Sequence, residues 1–107
     1  MIYSFKYIEK LVCKVLKLDP LLFHVESKRS DIVRAKQVYS YILKEYGFYS
    51  LTDIGKSINR RHNIVIHSHK VISNEIEYNK QLRIKVFNIK SKIFEFDIDF
   101  KTSNEIT

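Results

Sequence analysis

Ser50-Leu51-Thr52-Asp53-Ile54-Gly55-Lys56-Ser57-Ile58-Asn59-Arg60-Arg61-His62-Asn63-Ile64-Val65-Ile66-His67 is the stretch on which the fold turns. Ser50 with Asp53 three residues later has the form of a capping box, which predicts a short helix over residues 51–58. Leu51, Ile54 and Ile58 fall on its inward side. A turn across Ser57–Arg60 then leads into a second helix from about Arg61 to Asn74. Two helices joined this tightly, the second opening on basic and polar side chains, follow the helix-turn-helix plan.

Upstream, Ile32, Ala35, Tyr39, Ile42, Leu43 and Tyr46 form one apolar stripe, so a helix is expected over residues 31–46. Ser30 is its expected N-cap, Asp31 lies in its first turn, and Gly47 stands where a left-handed cap is usual. Before it, Phe5, Ile8, Val12, Val15 and Leu16 recur at helical spacing and Lys6, Lys10, Lys14 and Lys17 fall elsewhere. That helix, over residues 4–18, is expected to stop at Asp19-Pro20, because the residue before a proline avoids helical geometry. Leu22 and Phe23 are expected beneath it. Downstream, Leu82, Val86, Ile89 and Ile93 predict a helix over residues 79–92. Phe94, Phe96, Ile98 and Phe100 then alternate with Glu95, Asp97 and Asp99, the two-residue period of a half-buried strand, although no hairpin partner is evident. The fold class is therefore all-α: a bundle of about five helices with a C-terminal strand tail. Residues 1–92 are expected to form the helical domain, with its helix-turn-helix at about 51–74, and residues 93–107 an acidic amphipathic tail.

Composition agrees with one helical domain. The chain has 107 residues, 45% of them apolar, with 2 Gly and 1 Pro, too little punctuation for an all-β domain. Cys13 is the lone cysteine, so no intrachain disulfide forms, and it is expected to be a small core residue. Lysines interrupt every apolar run, and Met1–Phe5 lacks the layout of a signal peptide, so a soluble cytoplasmic chain with no membrane partner is expected. The net charge is +7. It concentrates in residues 28–70, where nine Lys and Arg face only Asp31, Glu45 and Asp53, whereas residues 93–107 are acidic. A basic excess of this kind draws polyanions, nucleic acid first among them.

The second helix of the motif opens Arg60-Arg61-His62-Asn63-Ile64, types suited to base edges. Arg donates twice to guanine, Asn pairs with adenine, and an apolar side chain meets the thymine methyl. The plainer alternative is a helical hairpin with a solvated basic corner. Other candidate chemistry is thin. His24, His62, His67 and His69 lack the i, i+4 spacing and the thiol or acidic partners of a metal site, so no metal and no cofactor is expected. Nothing near Cys13 lowers its pKa, and no enzyme activity is expected. Tyr39, Tyr41, Tyr46 and Tyr49 are read as core packing in preference to a base-stacking platform.

Three stretches carry a resemblance to the C-terminal DNA-binding domain, domain IV, of the bacterial replication initiator DnaA. Ser27-Lys28-Arg29-Ser30-Asp31-Ile32-Val33-Arg34-Ala35-Lys36-Gln37 is similar to that family's basic stretch leading into an A-R-Q helix start. Ser50-Leu51-Thr52-Asp53-Ile54-Gly55 resembles its S-L-x-x-I-G, and Arg60-Arg61-His62-Asn63-Ile64-Val65-Ile66-His67 its R-D-H-T-T-V-x-H. The resemblance spans roughly residues 5–76 without a large gap and implies a Trp-repressor-like bundle that binds double-stranded DNA, in a bacterial or phage setting. It implies that Lys28 or Arg29 reaches the minor groove, that Lys36, Gln37 and Lys44 grip phosphates, that His62 faces DNA and that His67 lies near the backbone. With Thr52, Arg60, Arg61, Asn63 and Ile64, these make up the expected DNA-binding set.

The departures bear on specificity. Arg61 stands where the family has Asp, Asn63 and Ile64 where it has two Thr, and Ile58 and Asn59 where it has paired glycines. These changes predict DNA binding without preference for the family's nine-base-pair box. No GxxxxGK[ST] phosphate loop is present, so the chain is expected to bind no nucleotide. A homodimer or a larger protein partner is an expected accessory, since one such module covers little DNA. Two alternatives stay open: a protein-interaction module that keeps the fold without reading DNA, and an RNA binder.

Overall fold

The computed structural model describes residues 4–47 and 49–106, with side chains up to residue 93. Helix α1 is Phe5–Leu16, α2 is Ser30–Tyr46, α3 is Leu51–Ser57, α4 is His62–Glu75 and α5 is Lys80–Ile106, with a single 3-10 turn at Pro20–Leu22 between α1 and α2. Helix α2 is the hub: it packs on α1, α3, α4 and α5, while α5 also closes over α1.

Local contacts set the ends of α1 and the close of α2. Ser4 Oγ accepts the Tyr7 N–H at 3.1 Å and starts α1. The end comes earlier than the proline argument predicts. Lys17 takes up φ 58°, and the Leu18 N–H closes on the Cys13 carbonyl at 2.9 Å, so a left-handed cap stops the helix before Asp19. Asp19 instead caps the 3-10 turn, accepting the Leu21 N–H at 2.9 Å. The N-cap of α2 is Arg29 and not Ser30, which is already helical. The Asp31 carboxylate supplies what the expected serine does not: it accepts the Ile32 N–H at 2.8 Å and holds the Arg29 guanidinium. Gly47, at φ 70°, closes α2 as expected, its N–H on the Leu43 carbonyl at 3.1 Å.

The apolar stripes meet in one core. Ile8, Val12 and Cys13 from α1, Ile32, Ala35, Val38, Tyr39, Tyr41, Ile42 and Leu43 from α2, Ile54 from α3, Val65 and Ile72 from α4, and Leu82, Val86, Ile89 and Ile93 from α5 are all buried. Phe23 is fully buried against Tyr39, ring edge to face at 5.2 Å, where the connection passes under α1. Tyr39 and Tyr41 are thus core residues. Burial first, then the nearby Glu9 and Asp19, pushes the Cys13 thiol up to about 11, which keeps it protonated and inert.

The alternating stretch 94–100 is not a strand. Helix α5 runs through it to Ile106, and no strand occurs among the described residues. A strand needs a neighbour to satisfy its N–H and C=O groups, and the chain offers none. A helix satisfies them within the segment, so α5 continues past the residue-92 end expected for it.

Candidate nucleic-acid interface

The α3–α4 turn is set by backbone contacts more than by side chains. The Gly55 carbonyl accepts the Ile58 N–H at 3.1 Å and the Arg60 N–H at 2.8 Å, folding the chain back on itself. A Cβ on Gly55 would lie 2.5 Å from the Arg60 carbonyl oxygen, so only glycine fits beneath the turn. Asn59 takes φ 56°, a left-handed position that asparagine tolerates better than most residues and that stands in for the missing glycine. Ser50 Oγ accepts the Asp53 N–H at 3.1 Å and fixes the start of α3. Tyr39 Oη and Ser57 Oγ meet at 2.6 Å, tying the end of α3 to α2.

This turn presents the N-terminus of α4 to solvent. Arg61 is its N-cap and makes no side-chain capping bond, and Arg61, His62, Asn63 and Ile64 are all exposed. Val65, Ser68 and Ile72 are the buried residues of α4. The first turn of α4 thus offers orphan N–H groups and three hydrogen-bonding side chains outward.

Beside it lies a cleft of about 140 Å³ lined by Ser27, Val33, Lys36, Gln37, Ile58, Arg60, Ile64, His67 and Ser68. Five members of the expected set therefore converge from three segments: Lys36 and Gln37 from α2, Arg60 from the turn, Ile64 and His67 from α4. A neighbouring hollow is lined by Glu26, Ser27, Lys28 and Arg60, which adds Lys28 from the loop. Neither hollow includes Arg29, Lys44 or Thr52. Arg29 is exposed and pairs with Asp31 at 2.6 Å, Lys44 is half-buried towards the end of α2, and Thr52 is exposed in the first turn of α3.

Two cations of the cleft are engaged in ways the sequence did not signal. The Lys36 side chain is buried and its ammonium donates to the Val25 carbonyl at 3.1 Å; burial first, then the Arg60 charge, holds its pKa below the ordinary lysine value. Arg60 grips Glu26 with both nitrogens, Nη1 to Oε1 at 2.8 Å and Nη2 to Oε2 at 3.1 Å. The bond from Arg60, and then its charge, holds the Glu26 carboxyl below the usual range. These partners lie 11 and 34 residues apart, and no local pattern in the sequence marks them.

The remaining histidines are used elsewhere: His24 pairs with Glu9, and His69 stacks on Tyr41 with ring centres 5.0 Å apart. Among the described residues no cluster of His, Cys, Asp and Glu could hold a metal ion, and no helix is long and apolar enough to cross a membrane.

Residues 5–72 match the family described as bacterial dnaA protein helix-turn-helix, a span that holds both hollows and the whole turn. The chain is 34% identical over 83 residues to the chromosomal replication initiator protein DnaA of Bacteroides thetaiotaomicron, which covers 77% of this chain and 18% of that protein. It is 33% identical over 82 residues to the same-named protein of Bacteroides fragilis, covering 76% and 17%, and 39% identical over 67 residues to that of Streptococcus agalactiae, covering 62% and 15%. The chain thus spans less than a fifth of the length of these relatives. With the turn, the basic stretch before α2 and the start of α4 all in place, the chain belongs to the bacterial DnaA helix-turn-helix family.

Proposed function

We propose that this chain binds double-stranded DNA, with the first turn of α4 in the major groove and the loop before α2 against the adjoining backbone, and that it acts in replication initiation or a related cytoplasmic process. The observation that carries this reading is the solvent-facing row Arg61, His62, Asn63 and Ile64, flanked by a cleft into which Lys36, Gln37, Arg60 and His67 converge. Arg61 suits guanine, Asn63 adenine and Ile64 a thymine methyl, a combination that selects a sequence other than the family's box. Lys28, Lys36, Lys44 and Arg61 serve as phosphate or base cations, while Arg29 and Arg60 start out paired with carboxylates. A second copy or a larger protein extends the footprint, since one module of this size covers little DNA.

The test is a duplex titration across salt concentrations. The four cations outside the Arg29–Asp31 and Arg60–Glu26 pairs imply a log–log slope of about −3 to −4, at roughly 0.9 per phosphate neutralised. Lys44→Gln should weaken all sequences alike and flatten the slope by about one. A slope near zero, or no binding to any duplex, rejects the reading in favour of a protein-interaction module. Exposed Val25, Val33, Ile64 and Ile66 near the cleft supply the apolar surface that such a module needs.

A further inference from the structure

Glu26 is an acidic residue set among the cations of the candidate interface. Its carboxylate receives a two-point grip from Arg60, the fork geometry with which arginine also takes phosphate. Lys28 lines the same hollow, and the Lys36 ammonium is close enough to attract it. Glu26 sits in the loop between the 3-10 turn and α2, with its side chain 64% exposed, so it can swing outward without disturbing the core.

We propose that the Glu26 carboxylate occupies the position of a DNA phosphate, so that Lys28, Lys36 and Arg60 form an oxyanion site that the duplex enters only by displacing Glu26. The proposal rests on the duplex-binding reading and adds to it a residue that limits affinity. A phosphodiester offers the same pair of anionic oxygens as the carboxylate and satisfies the same guanidinium fork. Displacement exchanges one ion pair for another, so in the native chain Arg60 contributes little net affinity and little salt dependence. Without the carboxylate, Arg60 meets the duplex as an uncompensated cation. The bland alternative is that the pair merely tethers the loop, in which case breaking it loosens the basic segment and weakens binding.

The two ideas predict opposite signs. A fluorescently labelled duplex is titrated by anisotropy with the native chain, Glu26→Gln, Arg60→Gln and the double variant at several salt concentrations. Glu26→Gln should tighten binding about two- to five-fold at low salt, the range of an exposed ion pair, and steepen the slope by about one. In the Arg60→Gln background the same change should have much less effect. Unchanged or weaker binding by Glu26→Gln overturns the proposal while native binding still upholds the duplex reading. An equal gain with and without Arg60 also overturns it, because the effect is then net charge alone. If neither native chain nor variant binds any duplex, both fall together.

Discussion

A methyl group on Gly55 would meet backbone and not a flexible side chain, since the nearest atoms are the Arg60 carbonyl oxygen at 2.5 Å and the Arg61 carbonyl carbon at 3.1 Å. Relief therefore requires the turn to open. Gly55→Ala should cost about 1–3 kcal/mol of stability, the usual penalty for overpacking, read as a lower urea midpoint. An unchanged midpoint would show that the turn yields freely and does not fix the aim of α4. Ser40 makes the contrasting case. It is fully buried in α2 and its hydroxyl has no hydrogen-bond partner among the described residues. Ser40→Ala removes an unsatisfied polar group and should raise the midpoint, by about 1 kcal/mol or somewhat more. A fall in stability would mean that the hydroxyl is satisfied after all. The need for a glycine at position 55 was legible as part of a motif, whereas its cause, the approach of residue 60, is visible only in three dimensions.

Among the polar links between helices α2 and α4, the most extensive is centred on Glu75. Arg34 Nη2 reaches both Glu75 oxygens, at 2.8 and 2.9 Å, and Asn79 donates to the same carboxylate at 2.9 Å. Burial pushes the Glu75 carboxyl up, but the bonds from Arg34 and Asn79 together outweigh it, and its pKa is lowered. A carboxyl lowered on folding adds stability above its unfolded value and loses it as pH falls through the folded one. Glu75→Gln should therefore be less stable than the native chain at pH 7, by about 1 kcal/mol given partial solvent screening, and the gap should close below about pH 4.5. A gap that persists at pH 3 would assign the effect to packing. At this scale the sequence was informative wherever the cause is local. The stripes of α1, α2 and α5, the Gly47 cap and the Ser50 cap could be read because period and neighbour decide them. Helix α2 starts one residue earlier than the Ser30 cap predicts, with Arg29 at the N-cap and no side-chain capping bond there, so the cap residue type did not decide the boundary. The tail was misread because alternation describes side chains, while the choice of helix over strand turns on where backbone hydrogen bonds go. The clamp of Lys36 on Val25 and the Arg60–Glu26 pair depend on how the loop folds back, which no periodicity encodes.

The molecule as a whole is one core closed at one end by α5 packing on α1 and α2, while the candidate interface gathers the loop before α2 and the α3–α4 turn. Ile89 is fully buried in α5 and lines neither hollow of the interface. Ile89→Ala should cost about 2–4 kcal/mol, as buried large-to-small changes do, and leave the salt slope of duplex binding unchanged while the chain is folded. A changed slope would mean that α5 shapes the interface. The division of labour along α4 has a consequence for how such a protein diversifies. Its packing residues, Val65, Ser68 and Ile72, are separate from Arg61, His62, Asn63 and Ile64, which are all exposed. Exchanging the outward four costs the fold little, so under the proposed duplex-binding reading a lineage can drift from one recognition sequence to another without passing through an unstable ancestor. A randomised library at these four positions should accordingly yield mostly folded members, a ready source of new specificities on an unaltered frame.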